Sequence, residues 1–292
     1  MPSELERFDR YRRQVVIKSG PVSYIDTGGP GRPVLFIHGA GTSSYLWRNV
    51  IGELAGERRC VALDLPLHGR TPCPPGWEFS LPAFADFIAD CCDALELTSI
   101  DLVANDTGGA IAQVFAVRHQ DRLATLTLTN CEAHDNMPPL ALRPAVLAAR
   151  AGLLARMAPR FMRDIPKARR RFYGMGYRDV SKLPLEIAAA QLTPLFGTPE
   201  SVRQLQTWTA SLNPRDLLAI EPALARMQVP TLIVWGTKDI FFRRKWAYWL
   251  RDTIPGAAEV VEVEGARLFF PDERAAELTV ALRCHWGVNV AG

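Results

Sequence analysis

The chain predicts an α/β protein, with a mostly parallel central sheet covered by helices on both faces and a helical block inserted into it. Three observations carry that expectation. Short, largely apolar runs, Val34-Leu35-Phe36-Ile37, Ile100 to Val103, Leu123 to Leu128 and Thr231 to Trp235, alternate with stretches of helical pattern. Strands of that kind belong to a sheet buried on both sides. One of them runs directly into a helix across Ala104-Asn105-Asp106-Thr107-Gly108-Gly109. Between about Glu132 and Met227 the strand pattern disappears, and prolines from Pro138 to Pro199 divide the segment into short helices.

Taken in order, Gln14 to Lys18 and Val22 to Asp26 read as an opening hairpin joined by Ser19-Gly20-Pro21. After Gly28-Gly29-Pro30-Gly31 comes the strand at Val34 to Ile37, then a helix over Tyr45 to Leu54 and a strand over Arg59 to Asp64. Leu81 to Leu97 suits a long helix, and Gly108 to His119 carries Ile111, Val114 and Phe115 at helical spacing. Alternation resumes at Thr231 to Trp235, with a helix over Arg244 to Thr253, a strand over Glu259 to Val263 and a last helix near Asp272 to His285. The domain reading is residues 1–131 with 229–292 as the sheet domain, and 132–228 as a helical lid across the carboxyl edge of its strands.

Composition narrows the function classes. With 292 residues, 48% of them hydrophobic and 22% charged, the chain can bury one substantial core. A formal charge of +3 is too mild to argue for nucleic acid. No apolar run approaches a membrane span, and Met1-Pro2-Ser3-Glu4-Leu5-Glu6-Arg7 lacks the pattern of a signal peptide, so a cytoplasmic address is expected. The six cysteines form no C-x-x-C pair and no spacing with histidine that suits zinc; they read as free thiols, with no metal or cofactor implied. Oligomeric state leaves no trace in the sequence. Arg143, Arg150, Arg156, Arg160, Arg163, Lys167, Arg169, Arg170, Arg171 and Arg178 make the first half of the helical block basic. A solvated helical face explains them; the sharper reading is attraction of an anionic or carrier-linked small-molecule substrate.

The turn at Asp106 is the candidate for chemistry. Ala104 and Gly108, two before and two after it, are small, as they must be where a strained strand-to-helix turn presents one side chain. The plainer reading is a helix N-cap.

Several landmarks coincide with that turn: His38-Gly39 at the end of a strand, Asp64-Leu65-Pro66-Leu67-His68-Gly69-Arg70-Thr71, and Trp235-Gly236-Thr237-Lys238-Asp239 after a later strand. Their order and spacing resemble the α/β-hydrolase superfamily over nearly the whole chain. The branch they most resemble is that of the haloalkane dehalogenases and α/β-fold epoxide hydrolases, through His38-Gly39-Ala40-Gly41-Thr42-Ser43-Ser44-Tyr45-Leu46-Trp47-Arg48-Asn49. The resemblance implies that Asp106 attacks an electrophilic carbon and forms an ester. It also implies that the amides of Ala40 and Thr107 face the developing charge and that Asp239 is the orienting acid.

Three positions depart from that pattern. Thr107 and Ala40 stand where dehalogenases commonly hold halide with side-chain N–H donors, which disfavours halide abstraction. Tyr173 and Tyr177 are the only tyrosines in the helical block that could protonate an opening oxygen. Leu268, in Glu264-Gly265-Ala266-Arg267-Leu268-Phe269-Phe270, occupies the place of the general-base histidine, and His285 is expected beyond the last helix. The candidate replacement is His134, flanked by Glu132 and Asp135 at the same sheet edge. Trp47, Glu132, Tyr173, Tyr177 and Phe269 are candidate pocket residues.

The expected activity is hydrolysis of a small, largely apolar substrate through Asp106. The alternatives are a lyase, isomerase or cyclase that uses Asp106 as general acid or base, and a vestigial ligand-binding protein.

Overall fold

The computed structural model describes residues 2–154 and 162–287, and in it eight strands form one sheet in the order β1-β2-β4-β3-β5-β6-β7-β8. These are β1 (Arg12–Ile17), β2 (Gly20–Asp26), β3 (Val34–Ile37), β4 (Cys60–Leu63), β5 (Ile100–Asn105), β6 (Leu123–Thr129), β7 (Thr231–Gly236) and β8 (Ala257–Val263). β1 and β2 form the expected hairpin, with Ile17 opposite Gly20, and β2 is antiparallel to β4. Every pairing from β4 through β3 to β8 is parallel. Residues of β3, β4, β5 and β7 are buried without exception, which is why these strands read as largely apolar runs; the buried Asp101 of β5 is paired with Arg58. The edge strand β1 instead carries Arg12 and Arg13 and leaves Val16 exposed.

Helix boundaries follow local chemistry. Ser80 caps the helix Leu81–Ala94 by accepting from the Ala83 amide; that helix stops short of the expected Leu97 because Glu96 turns to a φ of 55°. The expected helix over Tyr45 to Leu54 starts as a 3₁₀ turn, Ser44–Trp47, and continues as an α-helix over Arg48–Leu54. The last helix is two pieces, Phe270–Glu273 and Ala275–His285, broken at Arg274. His285 therefore ends that helix and does not lie beyond it. A helix at Glu4–Asp9 was not expected, although Ser3 and Glu6 spell its capping box.

Between β6 and β7 the described residues form helices and turns and no strand: Arg143–Arg150, Ile165–Tyr173, Leu185–Phe196, Pro199–Ser211 and Arg215–Leu224. Several of the basic residues noted in this segment bind carbonyls and knit it together. The Arg150 guanidinium donates to Ala210 and Leu212, Arg169 to Leu183, and Arg178 to Gly265. Arg143, Arg163, Lys167, Arg170 and Arg171 are exposed, and Arg156 and Arg160 lie outside the described residues. All six cysteines are free thiols, four of them buried. Among the described residues no helix is long and apolar enough to cross a membrane.

Candidate active site

Asp106 stands between β5 and the helix Thr107–Arg118 with φ 57° and ψ −140°. Left-handed φ is costly for a residue with a side chain and persists only where its surroundings impose it. Here the Asp106 amide donates to the Asn130 carbonyl on the neighbouring strand end at 2.9 Å, and its carbonyl accepts from the Gly109 amide at 2.8 Å. A Cβ at Gly108 would overlap the His38 carbonyl oxygen, and one at Gly39 would overlap Asp106 itself. Small residues at these places let the strand ends and the helix close on one another. Asp106 occupies the N-cap position of that helix, but its side chain makes no capping hydrogen bond. The backbone amides of Thr107 and Ala40 act on its carboxylate and favour its ionised form.

Asp106 is buried, and two further buried carboxyls face it. Burial, then the charges of Glu132 and Asp239, push the Asp106 pKa well above the ordinary carboxylate range, against the pull of the two amides. Glu132, just past β6, is 1% exposed. The Thr107 hydroxyl donates to its Oε1 at 3.1 Å, and Gln113 donates to its backbone carbonyl at 2.7 Å. Its Oε2 is buried and has no hydrogen-bond partner among the described residues. Burial raises Glu132 to about 7. Asp239, past β7, accepts from the Phe241 amide and from Asn130 Nδ2, each at 2.8 Å. Burial raises it too to about 7, while those bonds and the Arg267 charge pull the other way.

The histidines are committed elsewhere. His38 Nε2 accepts from the Leu65 amide at 3.0 Å while Nδ1 donates to the Gly39 carbonyl; His68 Nε2 accepts from the Gly41 amide at 3.1 Å while Nδ1 donates to Pro66. Burial lowers both, His38 to about 4, so the two rings are neutral struts of the turns that carry Ala40. Leu268 is buried where the resemblance places a histidine, and its carbonyl accepts from Asn105 Nδ2 at 3.1 Å. His134 is half-buried with φ 53°, paired with Glu221 and packed on Trp249 at 5.1 Å between ring centroids. Its neighbours belong to the helices Arg215–Leu224 and Arg244–Thr253, whereas the charges acting on Asp106 are those of Glu132 and Asp239.

The expected pocket residues divide in two. Tyr173, Tyr177 and Phe269 form one buried aromatic cluster, with Phe269 5.9 and 5.3 Å from the two tyrosine rings. Both hydroxyls are used: Tyr173 donates to the Gly41 carbonyl at 2.8 Å and Tyr177 to Asp272 Oδ2 at 2.7 Å. Trp47 is buried apart from them against Phe36, with its indole N–H unpartnered among the described residues. A surface cleft of about 440 Å³ has Trp77, Phe79, Met137 and Trp208 in its walls. Trp208 sits edge-on to His68 at 4.4 Å, and His68 lies 5.3 Å from His38. Sequence reasoning missed that cleft and the role of Asn130, which spans the sheet edge by holding both Asp239 and the Gly236 amide.

Known proteins share this frame. The family model described as alpha/beta hydrolase fold matches residues 32–274, well over half of the chain, and the chain belongs to that family. Haloalkane dehalogenase 2 of Mycobacterium tuberculosis is 28% identical over 96% of this chain and 94% of its own length. The cis-3-alkyl-4-alkyloxetan-2-one decarboxylase of Shewanella oneidensis is 25% identical over 85% of this chain and 80% of its own length. Among solved structures, a meta-cleavage product hydrolase from Pseudomonas fluorescens superposes with a TM-score of 0.75 at 22% identity, covering 94% of this chain and 97% of that one; that likeness concerns the fold.

Proposed function

Taking the α/β-hydrolase frame as its premise, we propose that this protein hydrolyses a small, largely apolar substrate by way of a covalent ester on Asp106. The observation that carries the proposal is the strained, left-handed backbone at Asp106 combined with two backbone amides on its carboxylate. Those amides hold the group oriented and favour its ionised form, and a carboxylate so placed in a dry site is a competent nucleophile. When the ester is hydrolysed, the same amides face the oxygen that becomes negative. Residues 132–228 act as a cap: Phe172 lies against Gly41, and Tyr173 bonds its carbonyl, which fastens this segment over the loop carrying Ala40. The dehalogenase relative supports attack at carbon by this carboxylate. His134, engaged with Glu221 and Trp249, braces the join between β6 and the cap; it is not the base.

A second reading is favoured by one observation, the raised pKa of the Asp106 carboxyl. A protonated Asp106 is an acid, suited to a non-hydrolytic reaction like that in the name of the decarboxylase relative. Acid-quenched samples from a panel of haloalkanes, epoxides and esters, digested and analysed by mass spectrometry, separate the two. The hydrolytic reading expects substrate-derived mass on the peptide holding Asp106, and none in Asp106→Asn. Turnover without such mass at any quench time would overturn it.

A further inference from the structure

We infer that Glu132 is both the acid and the base of the reaction at Asp106, and that the substrate is an electrophile whose leaving atom is oxygen, as in an epoxide ring. The inference rests on the reading of Asp106 as nucleophile and adds to it the group that moves protons. Neither a histidine nor a tyrosine is at hand for that task. His38 and His68 are neutral struts, His134 is with Glu221, and the Tyr173 and Tyr177 hydroxyls are bonded to Gly41 and Asp272. The Arg267 guanidinium donates to the Gly174 and Tyr177 carbonyls.

The hydrogen bonds assign the proton. The amides of Thr107 and Ala40 favour the Asp106 carboxylate, and the amide of Glu132 acts in the same sense on its own side chain. Glu132 Oε1 accepts from the Thr107 hydroxyl, but Oε2 is fully buried with no partner among the described residues. A bare buried carboxylate oxygen is costly, and a proton there removes the charge without breaking any bond. Thr107 joins the two groups, its amide on Asp106 and its hydroxyl on Glu132. The other ionisable groups around Glu132 are Asp239, which raises it further, and the buried Cys131 thiol, whose own pKa burial and Glu132 push up. The flanking His134 is turned to Glu221, and Asp135 is exposed. Arg267 offsets the charge of Asp239 alone; adjacent buried carboxyls do not all ionise together, so one proton stays in the cluster, and Oε2 is its place.

A proton held there selects the substrate. An alkoxide is a poor leaving group until protonated, whereas a halide leaves as the anion and requires donors that stay put. In the first step an Asp106 oxygen bonds to a ring carbon, the carbon–oxygen bond of the ring breaks, and the freed oxygen takes the Glu132 proton. The products are a hydroxyl group and an ester on Asp106. Glu132, now a carboxylate, takes a proton from water as that water adds to the ester carbonyl. Collapse expels the second oxygen, which recovers the proton from Glu132, and the Asp106 carboxyl that is left, carrying the other proton of the water, passes it to Glu132. The sum is ring ether plus water to diol, with Asp106 again a carboxylate and Glu132 again an acid.

The test uses the full chain, Glu132→Gln and Asp106→Asn with styrene oxide and 1-bromobutane. The parent is expected to open styrene oxide to the diol, and Glu132→Gln to lose at least about 10²-fold in kcat. Bromide needs no proton to leave, so whatever butyl ester 1-bromobutane forms on Asp106 is expected to persist in Glu132→Gln, where the parent clears it. Parental epoxide turnover in Glu132→Gln, or a parent inert to epoxides, overturns the inference. Epoxide consumption with no label on Asp106 in any variant instead overturns the reading of Asp106. A readout independent of turnover is ¹³C NMR of glutamate carboxyls: one resonance titrating at about 7, lost in Glu132→Gln and shifted down in Asp106→Asn, supports the assignment. A Glu132 that titrates in the ordinary carboxylate range contradicts it.

Discussion

Two buried aspartates at the carboxyl ends of strands that flank β3 have opposite surroundings. Asp64, past β4, is fully buried and fully satisfied: Arg12 donates to it at 2.7 Å, and the amides of Ser44 and Arg70 at 2.9 and 3.0 Å. Asp106, past β5, pairs with no cation among the described residues, and the charges acting on it are those of the carboxyls Glu132 and Asp239. A buried charge kept for architecture brings its counter-charge with it, because the desolvation cost is otherwise unmet. A cluster of like charges left without one works against the fold and marks a place selected for chemistry. The contrast separates the Asp64 turn, which holds Ala40 and its loop in place, from the Asp106 turn, which acts.

The comparison can be broken most severely at its structural half. Arg12→Met strands the Asp64 carboxylate and is expected to lose about 3–5 kcal/mol of unfolding free energy, measured by urea titration. Next is the steric frame of the acting half. Gly108→Ala drives a Cβ into the His38 carbonyl and is expected to lose about 1–3 kcal/mol, with turnover falling as the turn shifts.

The third prediction concerns pH. Folded, Glu132 and Asp239 keep a proton up to about pH 7, while in the unfolded chain they release it near about pH 4. The folded state therefore binds the extra protons between these values. The stability contribution of these two groups is greatest at the acid end, falls as pH rises through the window, and is gone above it. Thermal unfolding across that range is expected to be less pH-dependent in Glu132→Gln than in the parent. The smallest effect is at His134. Its pair with Glu221 is half-exposed, so His134→Ala is expected to change stability by no more than about 1 kcal/mol and to leave turnover within about threefold of the parent.

These contrasts also explain what could be read in advance. The sheet was legible because β3, β5 and β7 are buried on both faces and spell that burial in most of their residues. The strained turn was legible because close approach demands Gly39 and Gly108, and small residues at fixed spacing survive in one dimension. The partner of Asp106 was not. Glu132 lies 26 positions away in sequence and meets Asp106 only because β5 and β6 are parallel neighbours, Asn105 beside Thr129. From spacing alone, Glu132 read as a companion of His134. The left-handed backbone at His134, which accompanies its turn toward Glu221 and Trp249, has no sequence signal, since histidine carries no glycine-like mark. The opening helix was missed although Ser3 and Glu6 announced it, because so short an element has no apolar period to detect.

The most direct test of the contrast is the unfolding free energy of Asp106→Asn at about pH 8, measured beside its turnover. Asparagine keeps an acceptor for the two amides and removes a like charge from the cluster, so stability is expected to equal or exceed that of the parent while turnover is lost. A variant destabilised as severely as Arg12→Met, yet still turning over substrate, would mean that Asp106 is a structural residue of the same kind as Asp64.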